Sequence, residues 1–401
     1  MFFMRIVAKG GKDNTKQVYI DVAGRMHSLY ARLMACPPEG YQFITNETNL
    51  DKFFNVMVRS NLIYSIQHKV LNQMIPVNLT KAYIEKLKKI PTGTDLTYAT
   101  GQLIFRKDPW IVDIEDVTQL AGYSFKHFQK YKDIIGQNLA SEYCKKITSF
   151  TEAGINTVLK NLDNTDLTDK VEVIRPIIPT KKFTKHFSKD KIRLLFVGSA
   201  NIPGNFRVKG GGEVLEAFVI LQQSYPNIEL VIRSDVPEQI KTKYKKVDNL
   251  KLGEVIPWNQ LEDEFKSADI FLYPSHNTPA LAILDAMSYE LPVITTDVWG
   301  NPELVENGKT GLVIKKSEKI NHYVGNMIPN WSSPHNMRAY KTPDPNVVEE
   351  LVKETGALIE DEKLRRRMGK AGRQEVENGK FSIKKTHEKL KRIFDEATLV
   401  S

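Results

Sequence analysis

The chain has 401 residues, of which 41% are hydrophobic and 26% charged, the composition of an ordinary globular protein and longer than one usual core, so two domains of roughly 180 to 200 residues are expected. Lys and Arg number 57 against 48 Asp and Glu, a formal net charge of +9, which suits a nucleic acid, an anionic membrane surface or an anionic substrate. The 2 cysteines, Cys36 and Cys144, make neither a metal spacing nor a disulfide framework, no apolar run is long enough to span a bilayer, and the start runs straight into a strand pattern, so a cytoplasmic location is expected.

In chain order, residues 4–8 (MRIVA) read as a first strand, 25–35 as a helix and 40–45 (GYQFIT) as the next strand, so the chain opens as a β-α-β unit. Residues 110–116 (WIVDIED) form an apolar strand that ends in Asp113, Glu115 and Asp116. Residues 179–191 are rich in Lys and lack an apolar stripe, which reads as an interdomain linker with its boundary near Lys185. Lysines gather at Lys86, Lys88 and Lys89, across residues 125–132 and at Lys181, Lys182 and Lys185, often beside aromatics. Such runs are ordinarily solvated faces. They also suit peripheral docking on anionic lipid, where each Lys or Arg near the surface is worth about 1 kcal/mol. Without zinc-finger spacing, an RRM signature or a helix-turn-helix pattern, nucleic acid is not expected as a partner.

The C-terminal half carries denser signals. Residues 192–198 (IRLLFVG) read as a strand ending in Gly198, and 213–222 as a helix. Residues 269–273 are a short buried strand halted by Pro274-Ser275. Thr278-Pro279 then supplies a capping side chain and a proline at the first helical position, so a helix is expected over 279–289. Its first amides, at Ala280 and Leu281, and the positive dipole end favour a diphosphate. Asp285, about two turns beyond Thr278, falls on the same face and is placed to accept hydrogen bonds from two ribose hydroxyls. Residues 321–346, rich in Asn, Pro and Ser, read as an irregular insertion in which Trp331 packs on the domain. Helices follow over 347–358 and 361–377. A final helix over 381–397 sets Ile383, Leu390, Ile393 and Phe394 near helical spacing.

Pro274-Ser275, Asp285-Ala286-Met287, Leu291-Pro292-Val293-Ile294, Gly300-Asn301-Pro302-Glu303-Leu304-Val305 and Asn307-Gly308-Lys309-Thr310-Gly311-Leu312-Val313 resemble, in order and spacing, the donor-site signature of glycosyltransferase family 4, the group 1 glycosyltransferases. The resemblance implies an α/β chain of the GT-B fold, two Rossmann-like domains with parallel sheets facing across a cleft. It implies an acceptor domain over 1–184, a nucleotide-sugar domain over 185–380, and a helix in 381–401 that crosses back. Within it, Lys209-Gly210 looks like the step whose lysine pairs with the donor diphosphate, residues 252–255 like the strand and turn that contact the base through backbone at Val255, and Ala23-Gly24 like the glycine turn before the first long helix. Residues 147–152 look like a strand and turn of the acceptor domain, and 171–176 like its last strand. Glu115 takes the place of a histidine close to the acceptor, where it would orient or deprotonate a hydroxyl.

Three departures accompany the resemblance. Of the family's two glutamates, the first is Asn277 and the second Asp285, and the family's Gly-Arg pair is Gly198-Ser199. Arg207, two residues before Lys209, is the candidate replacement for the missing arginine. The resemblance thus assigns the donor to Gly24, Gly198, Lys209, Val255, Asn277, Thr278, Ala280, Leu281 and Asp285, and the chemistry to Lys209, Arg207 and Glu115. Two cations at the diphosphate would stabilise the leaving group without a metal or other cofactor. Asp113-Ile114-Glu115 superficially matches the acidic metal motif of the other major glycosyltransferase fold, but such a motif belongs in the nucleotide-binding domain, which here is C-terminal.

What the resemblance implies is a hexosyltransferase that moves a sugar from a nucleotide-sugar to a hydroxyl of a glycan, a lipid-linked acceptor or a small molecule. Configuration would be retained by front-face attack, with no covalent catalytic residue, in the cytoplasm or at the inner face of the membrane. Two other readings are a non-catalytic GT-B protein that binds a partner or glycan, and a nucleotide-sugar epimerase, which would need acid-base groups clustered around Asp285.

Overall fold

The computed structural model describes residues 15–22, 26–45, 76–86, 89–163, 165–185, 191–198, 204–278 and 280–399. Short runs of Val, Ile, Thr, Tyr and Phe form strands β1 (Lys16–Val22), β2 (Tyr41–Ile44), β3 (Thr94–Thr100), β4 (Trp110–Asp113), β5 (Cys144–Ser149) and β6 (Val171–Val173). They pair in parallel as a 6-stranded sheet of order β2-β1-β3-β4-β5-β6. In the second half, β7 (Ile192–Val197), β8 (Ile228–Arg233), β9 (Leu250–Gly253), β10 (Ile270–Tyr273), β11 (Val293–Thr296) and β12 (Gly311–Ile314) pair in parallel as β12-β11-β10-β7-β8-β9. Parallel pairing demands helical crossovers that cover the sheet faces, and in the C-terminal sheet β7, β10 and β12 accordingly read as largely apolar runs.

The C-terminal sheet starts in its middle and winds outward both ways. Its order reverses between β7 and β10, and in such sheets ligands bind outside the carboxyl ends of the strands at the reversal. The loops leaving those two strands carry Gly198, Lys209 and residues 274–281.

The expected strand at 4–8 lies outside the described residues. The strand that feeds the helix Ser28–Ala35 and pairs with β2 is instead β1, and β3, equally unforeseen, lies on its other side. Both mix polar residues into short β-branched and aromatic runs. The turn residues Pro91-Thr92-Gly93 before β3 are the signal that marks it.

The chain leaves one core and enters the other between Ile177, buried with the N-terminal sheet, and Ile178, buried with the C-terminal one. Residues 181–185, expected as linker, already lie on the C-terminal unit. Lys185 Nζ donates to the carbonyls of Phe265, Lys266 and Ala268 at the end of the helix Trp258–Ser267, and Lys181 pairs with Glu262 at 2.9 Å. The helix Ile383–Ala397 lays Leu390, Ile393 and Phe394 among Val18, Tyr41 and Tyr98 of the N-terminal sheet, and the Phe394 ring meets Tyr41 edge-on at 5.1 Å.

The stretch expected to be irregular holds a hairpin, Tyr323–Val324 with Ile328–Pro329, and a helix, Pro334–Ala339. The hairpin reaches the other domain: Ile328 is buried in the N-terminal core, and Asn326 exchanges hydrogen bonds with Asn161 and Lys160 at 3.1 and 2.8 Å. Trp331 packs edge-on against Trp299 at 6.3 Å between ring centres.

Candidate active site

The loops after β7 and β10 are brought together by the absence of a side chain. Gly210 has φ +81°, and a Cβ there would overlap the carbonyl of Pro274, so only glycine permits both the turn and the approach. Beside it His276 N donates to Val208 O at 2.9 Å, and Lys209 Nζ donates to Asn277 Oδ1 at 2.6 Å. At Gly198 a Cβ would overlap the Ser234 hydroxyl at the end of β8, so packing alone already requires glycine there.

Lys209 is buried, and loss of hydration pushes its ammonium down to about 8, with Glu115 of the opposite domain pulling the other way. Burial, followed by Asp116, raises Glu115 to about 7, opposed by Lys209 and by the Tyr123 hydroxyl, which donates to Glu115 Oε2 at 3.2 Å. Tyr123 follows Gly122 in the left-handed region (φ 59° and 75°), a turn that points its ring at Glu115. Strand alternation and the turn after β4 separate the three carboxylates. Asp113 accepts from Thr148 Oγ1 at 2.7 Å and Tyr30 OH at 2.9 Å, and Asp116 accepts from Thr118 N at 2.8 Å, capping the turn Val117–Ala121. Each is held near 6, chiefly by burial. Among the described residues no group of three or more His, Cys, Asp or Glu is arranged to hold a metal ion.

Asp285 lies on the helix Ala280–Ser288, where both carboxylate oxygens are taken by Arg32 of the N-terminal domain at 3.0 and 2.8 Å. The expected role toward ribose hydroxyls therefore requires Arg32 to withdraw or share. Burial raises the Asp285 carboxyl and Arg32 opposes the rise. Thr278, expected as a cap, accepts from Gly300 N at 3.0 Å. Ala280 is buried and Leu281 partly so at the helix start, while Val255 is 49% exposed beyond β9. Arg207 is half-buried on the short helix Asn205–Val208, and its side chain makes no hydrogen bond or ion pair with the described residues. Gly24, Ser199 and Pro279 lie outside the described residues.

The structure thus joins Lys209 and Asn277 by a hydrogen bond and sets Glu115 facing them. Arg32 and His27 were not anticipated. His27 caps the helix Ser28–Ala35 through its ring nitrogen, and burial, then Lys209 and Arg32, hold its pKa below the usual value. The readable signal for Arg32 is one cation inside the otherwise apolar run SLYARLMA. The cleft is also closed at Gly300, where a Cβ would overlap Thr151 of the other domain, and at Glu303, which accepts from Glu152 N and Ala153 N at 2.7 and 2.8 Å and from Arg175 at 2.9 Å.

Residues 178–344 match the family model of glycosyl transferases group 1. The capsular polysaccharide biosynthesis glycosyltransferase CapM of Staphylococcus aureus is 25% identical over 270 residues, 65% of this chain and 58% of the relative. The chain spans about half the length, or less, of the curated relatives it matches. Among solved structures, WaaG, a glycosyltransferase involved in lipopolysaccharide biosynthesis, superposes with a TM-score of 0.57 at 15% identity over 94% of this chain and 99% of its own. HepE of Anabaena, in complex with UDP and glucose, gives 0.57 at 14% identity over 95% and 99%. At these identities the likeness shows the fold, which is GT-B.

Removing the cation of the interdomain pair leaves a buried carboxylate that only an open cleft can hydrate. Arg32→Ala is therefore expected to enlarge the radius of gyration in small-angle scattering, and an unchanged value would show that this pair does not hold the cleft shut.

Proposed function

We propose that this chain, whose residues 178–344 form a group 1 glycosyl transferase domain, transfers a sugar from a uridine diphosphate sugar to a hydroxyl acceptor. The observation that carries the reading is the meeting of Lys209 and Asn277 at the reversal point of the C-terminal sheet, with Glu115 facing them from the other domain. UDP is favoured as the carrier because it is the nucleotide bound in the HepE structure of the same fold.

In this reading Lys209, the amides at Ala280 and Leu281 and the helix dipole take the diphosphate, Arg207 adds a second cation, and Asp285 takes the ribose once Arg32 releases it. Transfer forms a bond between acceptor oxygen and the anomeric carbon and breaks the bond to phosphate. Configuration is retained when attack comes from the face the diphosphate leaves, its departing oxygen taking the acceptor proton while ionised Glu115 orients the hydroxyl. Positive charge at the diphosphate does the work a metal would otherwise do, and the resemblance of residues 274–313 to the donor-site signature supports membership of family 4.

Peripheral contact with anionic lipid is supported by Tyr83 and Ile84, 48% and 59% exposed, and by exposed Lys86, Lys126 and Lys130 of the same domain. No helix among the described residues is long and apolar enough to cross a membrane. Co-sedimentation with phosphatidylglycerol vesicles, lost at high salt, is the expected result, and equal recovery with neutral vesicles would refute it.

Thermal shift with UDP, GDP, ADP and dTDP, with and without magnesium, tests the donor site. UDP should stabilise the protein without metal, and Lys209→Ala should abolish the shift. No stabilisation by any nucleotide would favour a non-catalytic binding protein.

The pH dependence follows from the two facing groups. Glu115 must be ionised, so kcat/KM rises as pH passes about 7, and Lys209 must be protonated to hold the diphosphate, so kcat/KM falls as pH passes about 8. Glu115→Gln should flatten the acidic limb and leave the alkaline one.

A further inference from the structure

Asp285, the carboxylate assigned to the ribose, is already engaged. Arg32 Nη1 donates to its Oδ1 at 3.0 Å and Nη2 to its Oδ2 at 2.8 Å, and with this fork in place the Asp285 side chain is 5% exposed. Both oxygens keep a further lone pair, but those point outward to opposite sides of the carboxylate. Two adjacent ribose hydroxyls, like the two ends of a guanidinium, reach both oxygens together only from the front edge, and the guanidinium fills that edge. Its carbon also stands 5.4 Å from the centre of the Trp258 ring, at the start of the helix Trp258–Ser267, just beyond Val255, the residue assigned to the base. A second cation near that ring, Lys181 Nζ at 5.1 Å, is tied to Glu262 of its own domain at 2.9 Å. Arg32 comes from the other domain, on the helix Ser28–Ala35, so separating the domains removes Arg32 and leaves Lys181.

We infer that Arg32 is an internal competitor of the donor nucleoside: in the closed arrangement its guanidinium holds the place of the ribose, and a nucleotide binds only by displacing it. The assignment rests on the reading of Asp285 and Lys209 as the donor site. Electrostatics alone predicts the opposite effect of removing Arg32. The His27 imidazole is held low by burial and then by Lys209 and Arg32 together, so both cations act on the same spot, close to the diphosphate assigned to Lys209. Loss of a cation there weakens the binding of any anion. Release of an occupied place acts the other way, tightening the ligand in proportion to the fraction of chains in which the place had been taken.

The test compares dissociation constants for UDP and for inorganic pyrophosphate at pH 7 on the full chain, on Arg32→Ala and on Arg32→Lys, with melting curves showing that each variant is folded. Pyrophosphate carries the diphosphate charge without the nucleoside, so it does not compete with Arg32. Arg32→Ala should bind UDP about tenfold more tightly than the wild type does, as for a place free in about one chain in ten. Its affinity for pyrophosphate should be unchanged or lower. Arg32→Lys keeps the charge and loses the fork, and should fall between the other two for UDP. If UDP binds Arg32→Ala no more tightly than the wild type, competition is overturned while the donor site stands. An equal gain for pyrophosphate overturns it as well, because the pair would then limit access to the cleft rather than occupy the nucleoside's place. If UDP binds none of the three proteins, the donor site is overturned and the inference with it.

Discussion

The guanidinium of Arg32 and the carboxylate of Asp285 meet across the cleft as a two-point pair, 18% and 5% exposed. Two buried charges are a poor source of net stability, because desolvation offsets most of their attraction. Their value here is geometric. A forked pair has one good alignment, and it sets how the first helix of one domain sits on the helix Ala280–Ser288 of the other. Arg32 also stands 5.4 Å from the centre of the Trp258 ring, which fixes the guanidinium from a second side.

Closure accounts for the electrostatics of the site. Lys209 and Glu115 belong to different domains, and each is shifted mainly by loss of water, toward neutrality in both cases. In the proposed reaction a diphosphate beside Lys209 would favour its charged form again. Under the proposed function, a dry site of this kind would strengthen each interaction with the departing phosphate.

The domains are joined at several places. The main chain crosses between Ile177 and Ile178, the helix Ile383–Ala397 returns to the N-terminal sheet, and Ile328 on the hairpin enters the N-terminal core. The hairpin makes its contact through buried Ile328, partly buried Val324, Gly325 against the Phe125 ring and a pair of Asn326 hydrogen bonds.

Much of the C-terminal half was legible because local chemistry and tertiary role agree there. Apolar runs bounded by Pro and Gly became β7, β10, β11 and β12, and the helix beginning after Thr278-Pro279 lies within a residue of its expected span. The N-terminal half was less legible: β1 and β3 carry polar residues at short spacing, and their burial comes from neighbours distant in sequence, such as Phe394 against Tyr98. The sequence by itself determined the alternation of strand and helix and the carboxylates after β4, since these depend on periodicity and on turn chemistry within a few residues, while Lys209 and Asn277 were singled out by the family resemblance. Only the tertiary structure decided that Asp285 meets Arg32, that Glu115 rather than Asp113 or Asp116 faces Lys209, and that Lys209 donates to the Asn277 side chain. Each depends on groups 68 to 253 residues apart, or on which side of a strand end a carboxylate emerges, and no local pattern encodes such a distance.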